Sequence, residues 1–378
     1  MLKDEEGSPE ENFPDRYIRD RTDSALYMRE KLSVGILGAT GSVGHRLVQL
    51  LAKHPWFDLT SVCASDKSLG KRYKDAVNWT LSTPIPDGIG KLVIQACEPN
   101  LACKIVFSAL SSNVAGTIEK AFADAGYVVI SMAKNYRMQE DVPLVVPEVN
   151  ADALELVKTQ KFAKGGMIVT KPNCAVIGLA LALKPLALEF GIDALSVVTM
   201  QSISGAGYPG VPSLSIVDNI IPYIEDEEEK LETETQKVLG SVKNGAIEKY
   251  PLKISAQCMR VPVTEGHLEA VCLKFTAGKK VSLEEVKRAW NEFYPPVQEL
   301  KLPSSPAKPL IYFEEVDFPQ PKLHRDLEKG MVVSLGRLET SSLFDCKFVL
   351  LSHNTIRGAA GGAILIAELL VKKGYVFW

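Results

Sequence analysis

Apolar positions follow two rhythms along this chain. In "KLSVGILGATGSVGHRLVQLLAKHP" a short apolar run, Leu32–Leu37, stops at a cluster of glycines, and Val43, Leu47, Leu50 and Leu51 then recur at helical spacing. The pattern predicts a strand, a tight turn and a helix. Apolar runs at residues 59–64, 105–108, 128–132 and 167–170 predict further strands, with a helical stretch at 114–125 among them. Strands alternating with helices predict a parallel, doubly wound α/β sheet. Beyond residue 174 the runs lengthen, as in "ALSVVTMQSISG", "LEAVCLKFTA" and "KFVLLSHN", and "SLEEVKRAWNEF" reads as a helix opened by a Ser-x-x-Glu capping pattern. A second domain of mixed α+β character is predicted there. The last segment, "NTIRGAAGGAILIAELLVKKGY", predicts an apolar helix stopped by Lys-Lys-Gly.

Composition narrows the function classes. A chain of 378 residues suits two domains, each with its own core. The net charge of -3 and the scattered basic residues provide no basic face for nucleic acid, and no stretch is apolar for long enough to span a bilayer. Residues 1–30 mix Pro, Gly and charge without the apolar run of a secretion signal, and read as an extension in which Tyr17, Ile18, Leu26 and Tyr27 are available to dock a short helix. The seven cysteines are dispersed and show no metal-like pairing with the five histidines, which predicts free thiols, no metal site and a reducing, cytoplasmic setting. Small-molecule chemistry is the expectation.

Two stretches carry that chemistry. In "GATGSVG", Gly38, Gly41 and Gly44 stand between strand and helix, where missing side chains let the backbone approach a pyrophosphate. Thr40, Ser42 and Val43 share the turn and complete the candidate dinucleotide site. An NAD site places an acid about twenty positions on, at the ribose 2′-hydroxyl. Asp66 fits, but Ser65, Lys67, Ser68, Lys71 and Arg72 surround it, and hydroxyls with cations suit the 2′-phosphate of NADP. In "TKPNCAVIGLALALKPL", Cys174 opens an apolar run. A cysteine at a helix start is either a nucleophile whose pKa the unpaired N–H groups lower, or a small buried apolar residue. The acidic run "EDEEEKLETETQK" reads, on composition, as a solvated helical face.

The motifs "GATGSVG", "PEVN", "PNC", "QSISGAGYPGVPSL", "RVPVTEGH" and "HNTIRGAAGG", in this order, resemble those of aspartate-semialdehyde dehydrogenases of the archaeal and fungal branch. The resemblance covers roughly residues 31–378. It implies a nucleotide-binding domain over 31–171, completed by the C-terminal helix of 353–378, and a catalytic and dimerisation domain over 172–352. It also implies reductive dephosphorylation of L-aspartyl-4-phosphate by NADPH to L-aspartate 4-semialdehyde, through a cysteine thioester, on the way to lysine, methionine and threonine. The assembly implied is a homodimer or homotetramer.

Residue by residue, the resemblance makes Cys174 the nucleophile, His267 the acid/base group, and Gln201 the amide beside the nucleophile. Arg260 falls at the arginine that grips the α-carboxylate. Glu227 and Lys230 match a Glu-x-x-Lys pair for substrate amino group and phosphate, with Glu228 an alternative register. Lys134, Asn135 and Arg137 are further candidates for phosphate, and Ser204, Gly205 and Asn354 for the cofactor side. Two positions depart from the family pattern: Ala175 replaces a frequent hydroxyl residue and Met132 a frequent asparagine. Malonyl-CoA reductase and N-acetylglutamyl-phosphate reductase are related alternatives. A non-catalytic NADP sensor would not need Cys174, His267 and Arg260 together.

Overall fold

A computed structural model describes residues 30–278 and 280–377. The expected extension over 1–30, with its docking residues Tyr17, Ile18, Leu26 and Tyr27, lies outside the described residues except for Glu30.

Five parallel strands, β1 (Leu32–Leu37), β2 (Phe57–Cys63), β3 (Ile105–Ser108), β4 (Val128–Ser131) and β5 (Met167–Thr170), form a sheet in the order β2-β1-β3-β4-β5. The helices α1 (Ser42–Leu51) and α2 (Ser112–Asp124) cross between strands. The second strand starts earlier than its apolar run because Phe57 already pairs with Leu32. The chain reverses direction across the sheet between β1 and β3, and in open α/β sheets such a switch point leaves a crevice at the carboxyl ends of the strands. Gly38 and the turn into α1 lie at that crevice.

The second sheet is mixed. The strands β6 (Ile192–Ser202), β9 (Lys253–Val261), β10 (His267–Phe275), β11 (Leu310–Phe313), β12 (Val333–Thr340) and β13 (Cys346–Ser352) run in the order β11-β12-β13-β10-β6-β9, while β7 (Ser241–Lys243) and β8 (Ala246–Glu248) make a separate hairpin. Against this sheet lies α3 (Cys174–Glu189), joined by α4 (Glu227–Leu239) and α5 (Leu283–Asn291). The capping box expected at α5 is formed by Ser282 and Glu285. Apolar on every side, α3 buries Val176, Leu179, Leu183 and Leu186 among Val197, Val271 and Leu350, as a helix without a polar face must. Each fully buried side chain of this size contributes about 1.5–3 kcal/mol. This packing fixes the axis of α3 and therefore the place of its first residue, Cys174.

The C-terminal helix α6 (Gly361–Lys372) joins the first core, where Ile364 and Leu365 pack with Val34, Ile36 and Leu47. Among the described residues no helix is long and apolar enough to cross a membrane. All seven cysteines are free thiols.

Candidate active site

Cys174 is the first residue of α3, and Asn173 is its N-cap. The Asn173 side-chain oxygen accepts from the Ala175 N–H at 2.9 Å, which satisfies one of the open donors of the helix start. Its amide nitrogen donates to both Glu227 carboxylate oxygens at 2.9 Å, and its backbone N–H donates to Glu234 Oε2 at 2.6 Å. The residue before the cysteine is thus held on three sides.

Opposite, His267 opens β10 with its Nε2 3.2 Å from Cys174 Sγ. Gln201 and Arg260 pair across β6 and β9, so the sheet register brings both to the same place. Gln201 Nε2 donates to Glu227 Oε2 at 3.0 Å, and Arg260 Nη1 donates to the Ser202 carbonyl at 2.8 Å. A Cβ on Gly205 would stand 2.7 Å from Arg260 Nη1 and 3.2 Å from His267 Cε1, so a side chain there would displace the guanidinium.

The acidic run departs from the solvated face that its composition predicts. Glu227 and Glu234 are buried, seven positions apart on the inward side of α4, because the helix packs on α3 and β9. The two neighbouring glutamates whose register the sequence leaves open have different partners. Glu227 faces Asn173, Gln201 and Lys230, the last at 3.3 Å, whereas Glu228 accepts from the Cys258 N–H of β9.

Of the other phosphate candidates, Lys134 makes an exposed ion pair with Asp226 at 2.5 Å, and Asn135 donates to the Ser112 carbonyl. Arg137 is buried and already engaged, with Nη1 2.9 Å from Glu234 Oε1 and Nη2 donating to the Met132 carbonyl.

The electrostatics correct the expectation of a lowered cysteine pKa. Burial pushes the Cys174 thiol up to about 11, and the Glu227 carboxylate adds to the shift, while Lys171, Arg137 and Arg260 oppose it. Burial pulls His267 down to about 3, helped by Arg260 and His353, so the ring is neutral near pH 7. Lys171 is lowered to about 7, first by burial and then by Arg137.

On the nucleotide side Gly38 has φ +84, and a Cβ there would meet the Ala109 carbonyl oxygen at 2.8 Å. A Cβ on Gly44 would meet the Gly38 carbonyl oxygen at 2.4 Å. This turn tolerates no side chains at either position, and Gly41 caps α1 without a side-chain hydrogen bond, leaving its first N–H groups open. The backbone cradle fits a dinucleotide pyrophosphate. Ser65, Ser68 and Lys71 lie in the turn after β2, where the Lys71 ammonium donates to the Lys67 carbonyl at 3.0 Å. A cleft of about 470 Å³ is lined by Ser42 and Arg46 of α1 and, across from them, by Ser204, Tyr208 and Thr264. Asn354 bridges the Gly266 N–H and Ser204 Oγ beside it. Among the described residues no group of three or more His, Cys, Asp or Glu side chains could hold a metal ion.

Four buried residues in or beside these elements escaped the sequence reading. Glu234 carried a signal, its seven-residue spacing from Glu227. Lys171 carried another, as a lone charge between an apolar strand and Pro-Asn-Cys. Ser202 gave none beyond adjacency to Gln201. Glu269 likewise gave none: two positions after His267, it is fully buried with both oxygens unpartnered, and burial raises its carboxyl well above the usual range.

Two parts of the chain match known families. Residues 33–157 match the family described as "Semialdehyde dehydrogenase, NAD binding domain", and residues 183–357 match "Semialdehyde dehydrogenase, dimerisation domain". Aspartate-semialdehyde dehydrogenase of Archaeoglobus fulgidus is 49% identical over 346 residues, covering 91% of this chain and 99% of its own length. The Candida albicans enzyme of that name is 47% identical over 359 residues, covering 90% of this chain and 98% of its own. The crystal structure of the aspartate semialdehyde dehydrogenase from Candida albicans with NADP superposes with a TM-score of 0.85 at 44% identity, over 91% of this chain and 100% of that one. Aspartate semialdehyde dehydrogenase II from Vibrio cholerae, complexed with ASA, superposes with a TM-score of 0.73 at 26% identity, over 92% and 100% of the respective chains. With relatives of this identity spanning nearly their full length, the chain belongs to the aspartate-semialdehyde dehydrogenase family.

Proposed function

We propose that this chain catalyses the NADPH-dependent reductive dephosphorylation of L-aspartyl-4-phosphate to L-aspartate 4-semialdehyde, in the biosynthesis of lysine, methionine and threonine. The observation that carries the reading is the Cys174–His267 contact of 3.2 Å, with Arg260 and the Asn173–Glu227–Gln201 cluster around it.

In this reading Cys174 attacks the acyl carbon, phosphate leaves, and the substrate is held as a thioester on sulfur. Gly38, Gly41 and Gly44 with Thr40, Ser42 and Val43 hold the pyrophosphate of NADPH, Ser65, Ser68 and Lys71 its 2′-phosphate, and Ser204, Gly205 and Asn354 its nicotinamide side. When bound, NADPH supplies the hydride that takes the thioester to the aldehyde level. Arg260 grips the substrate α-carboxylate in a two-pronged manner, Glu227 binds the α-ammonium group, and Lys230, Lys134 and Asn135 receive phosphate. Arg137 supports that side through Glu234, which also fixes the Asn173 N–H. Gln201 orients the reacting carbonyl.

The exposed apolar residues Leu214, Val217, Ile220 and Tyr223 fall inside the segment matching the dimerisation domain, and we assign them to contact with a second copy in a homodimer or homotetramer.

Purified protein should reduce aspartyl phosphate with NADPH, and in reverse should require phosphate for oxidation of the semialdehyde. Turnover of malonyl-CoA in preference to aspartyl phosphate would transfer the site to the acyl-CoA reductases. Lys71→Ala should weaken NADP by about tenfold, the order of one charge-assisted contact, and leave NAD nearly unchanged. Equal losses in titrations with the two nucleotides would place the 2′-phosphate elsewhere. Arg260→Lys keeps the charge and loses the fork, so KM for substrate should rise by about tenfold or more, while the Kd for NADPH holds. A change confined to kcat would remove Arg260 from recognition.

A further inference from the structure

The turn that presents His267 is held from both halves of the fold. On the side of the mixed sheet, the Ile203 N–H donates to the Val263 carbonyl at 2.8 Å and the Ser204 N–H to the Thr264 carbonyl at 3.2 Å. On the other side, the Glu265 carboxylate accepts from Arg46 Nη2, at 2.7 Å to Oε1 and 2.8 Å to Oε2. Arg46 lies in α1, about one turn beyond Ser42, and 219 positions separate it from Glu265. Its guanidinium is set within the helix by Nη1, which donates to Gln49 Oε1 at 2.9 Å. Thr355 closes a ring of contacts: its Oγ1 accepts from Arg46 Nε at 3.2 Å and donates to Glu265 Oε1 at 2.9 Å. The two charged side chains are only 14% and 19% exposed, so salt screens the pair far less than an open surface pair.

One residue separates Glu265 from His267. That residue, Gly266, has φ +96 and is enclosed, since a Cβ on it would stand 3.3 Å from both Arg325 Cβ and Leu351 Cδ1. Its N–H donates to Asn354 Oδ1 at 2.9 Å. Asn354 and Thr355 thus hold Gly266 and Glu265 side by side, and Arg46 joins all of them to α1. Little slack remains between the ion pair and the histidine.

We propose that Arg46 and Glu265 are positioning residues: their ion pair ties the turn that presents His267 to the helix that receives the nucleotide, and so fixes the acid/base ring relative to the bound cofactor. This inference rests on the function proposed above and leaves His267 the acid/base part that the family resemblance gives it. Acid/base chemistry at the substrate has to meet the nicotinamide on one carbon–oxygen bond, and the two partners belong to different domains. Placement of one against the other then decides the rate, and neither Arg46 nor Glu265 has to touch the substrate.

Arg46→Ala keeps a good helix former in α1, and Glu265→Ala leaves the backbone bonds of the turn in place. In each folded variant kcat should fall by about tenfold, the order of a small misplacement of a reacting group, while KM for aspartyl phosphate and Kd for NADPH stay within about twofold. The double variant should be no worse than either single one, because both remove the same link. The ring is followed without turnover by 15N NMR of full-length, ligand-free protein labelled at histidine, with His267→Asn used only to identify its signals among the five histidines. The His267 signals should shift or broaden in both single variants. Glu265→Gln, which keeps the volume and removes the charge, carries the same readouts where an alanine variant does not melt cooperatively. Wild-type kcat or wild-type His267 signals in a folded variant, losses that multiply in the double variant, or NADPH binding as the first defect overturn the proposal. Absence of aspartyl-phosphate reduction by the wild type would remove the proposed function, whereas the NMR signals test the tie without substrate, so the two failures are distinct.

Discussion

Cys174→Ser is expected to lower turnover by about 10³-fold or more, since an unactivated hydroxyl is a far weaker nucleophile than a thiolate and cannot form the thioester that accepts hydride. The fold should survive, because serine is close in size and α3 is held by Val176, Leu179 and Leu183 further along. Steady-state assay with aspartyl phosphate, together with a melting curve, checks both halves. Near-normal activity in a folded serine variant would return Cys174 to the role of a small buried residue. The raised pKa adds a second readout. With burial holding the thiol up to about 11, the thiolate fraction in the ligand-free protein is small at neutral pH. Alkylation of Cys174 by iodoacetamide should therefore climb by about tenfold per pH unit from 7 to 9. A rate already level across that range would mean a thiol that ionises below pH 7, and the influence of Lys171, Arg137 and Arg260 would then outweigh burial.

His267→Ala is expected to cost about 10²–10⁴ in kcat, the order contributed by a positioned acid/base group. The effect should fall on kcat and kcat/KM alike, with NADPH affinity preserved, because the ring faces Cys174 and Ser202 and not the glycine turn. Single-turnover kinetics and nucleotide titration separate these outcomes. A variant that binds cofactor poorly but reduces substrate at the normal rate would move His267 out of the chemistry.

The five parallel strands and the glycine turn were legible in the chain because they are local: an apolar run of four to seven residues, a break and a helical period occupy one continuous segment. The cluster of Cys174, Arg260 and His267 was anticipated from "PNC" at a helix start and from the motif that contains the other two, and the fold brings the Cys174 and His267 side chains together. Other features depended on which face of an element meets a neighbour. Composition made α4 a solvated helix, yet the structure turns Glu227 and Glu234 inward to Asn173 and leaves Glu225 and Glu229 outside. Arg137, a loop charge in sequence, is buried against Glu234.

The sequence by itself determined the elements, their order, the glycines that cannot carry a side chain, and the residue types available for acyl transfer, since these follow from periodicity and covalent chemistry within short segments. Tertiary structure decided the protonation of the site. Whether the thiol of Cys174 ionises depends on how much water α3 and the mixed sheet exclude and on charges from Lys171, Glu227 and Arg260, which lie up to 89 positions apart in the chain. The surroundings of the His267 ring depend on Cys174 and Ser202, brought together from the start of α3 and the end of β6. Desolvation and hydrogen-bond polarity are properties of surroundings, and surroundings exist only once the chain has folded.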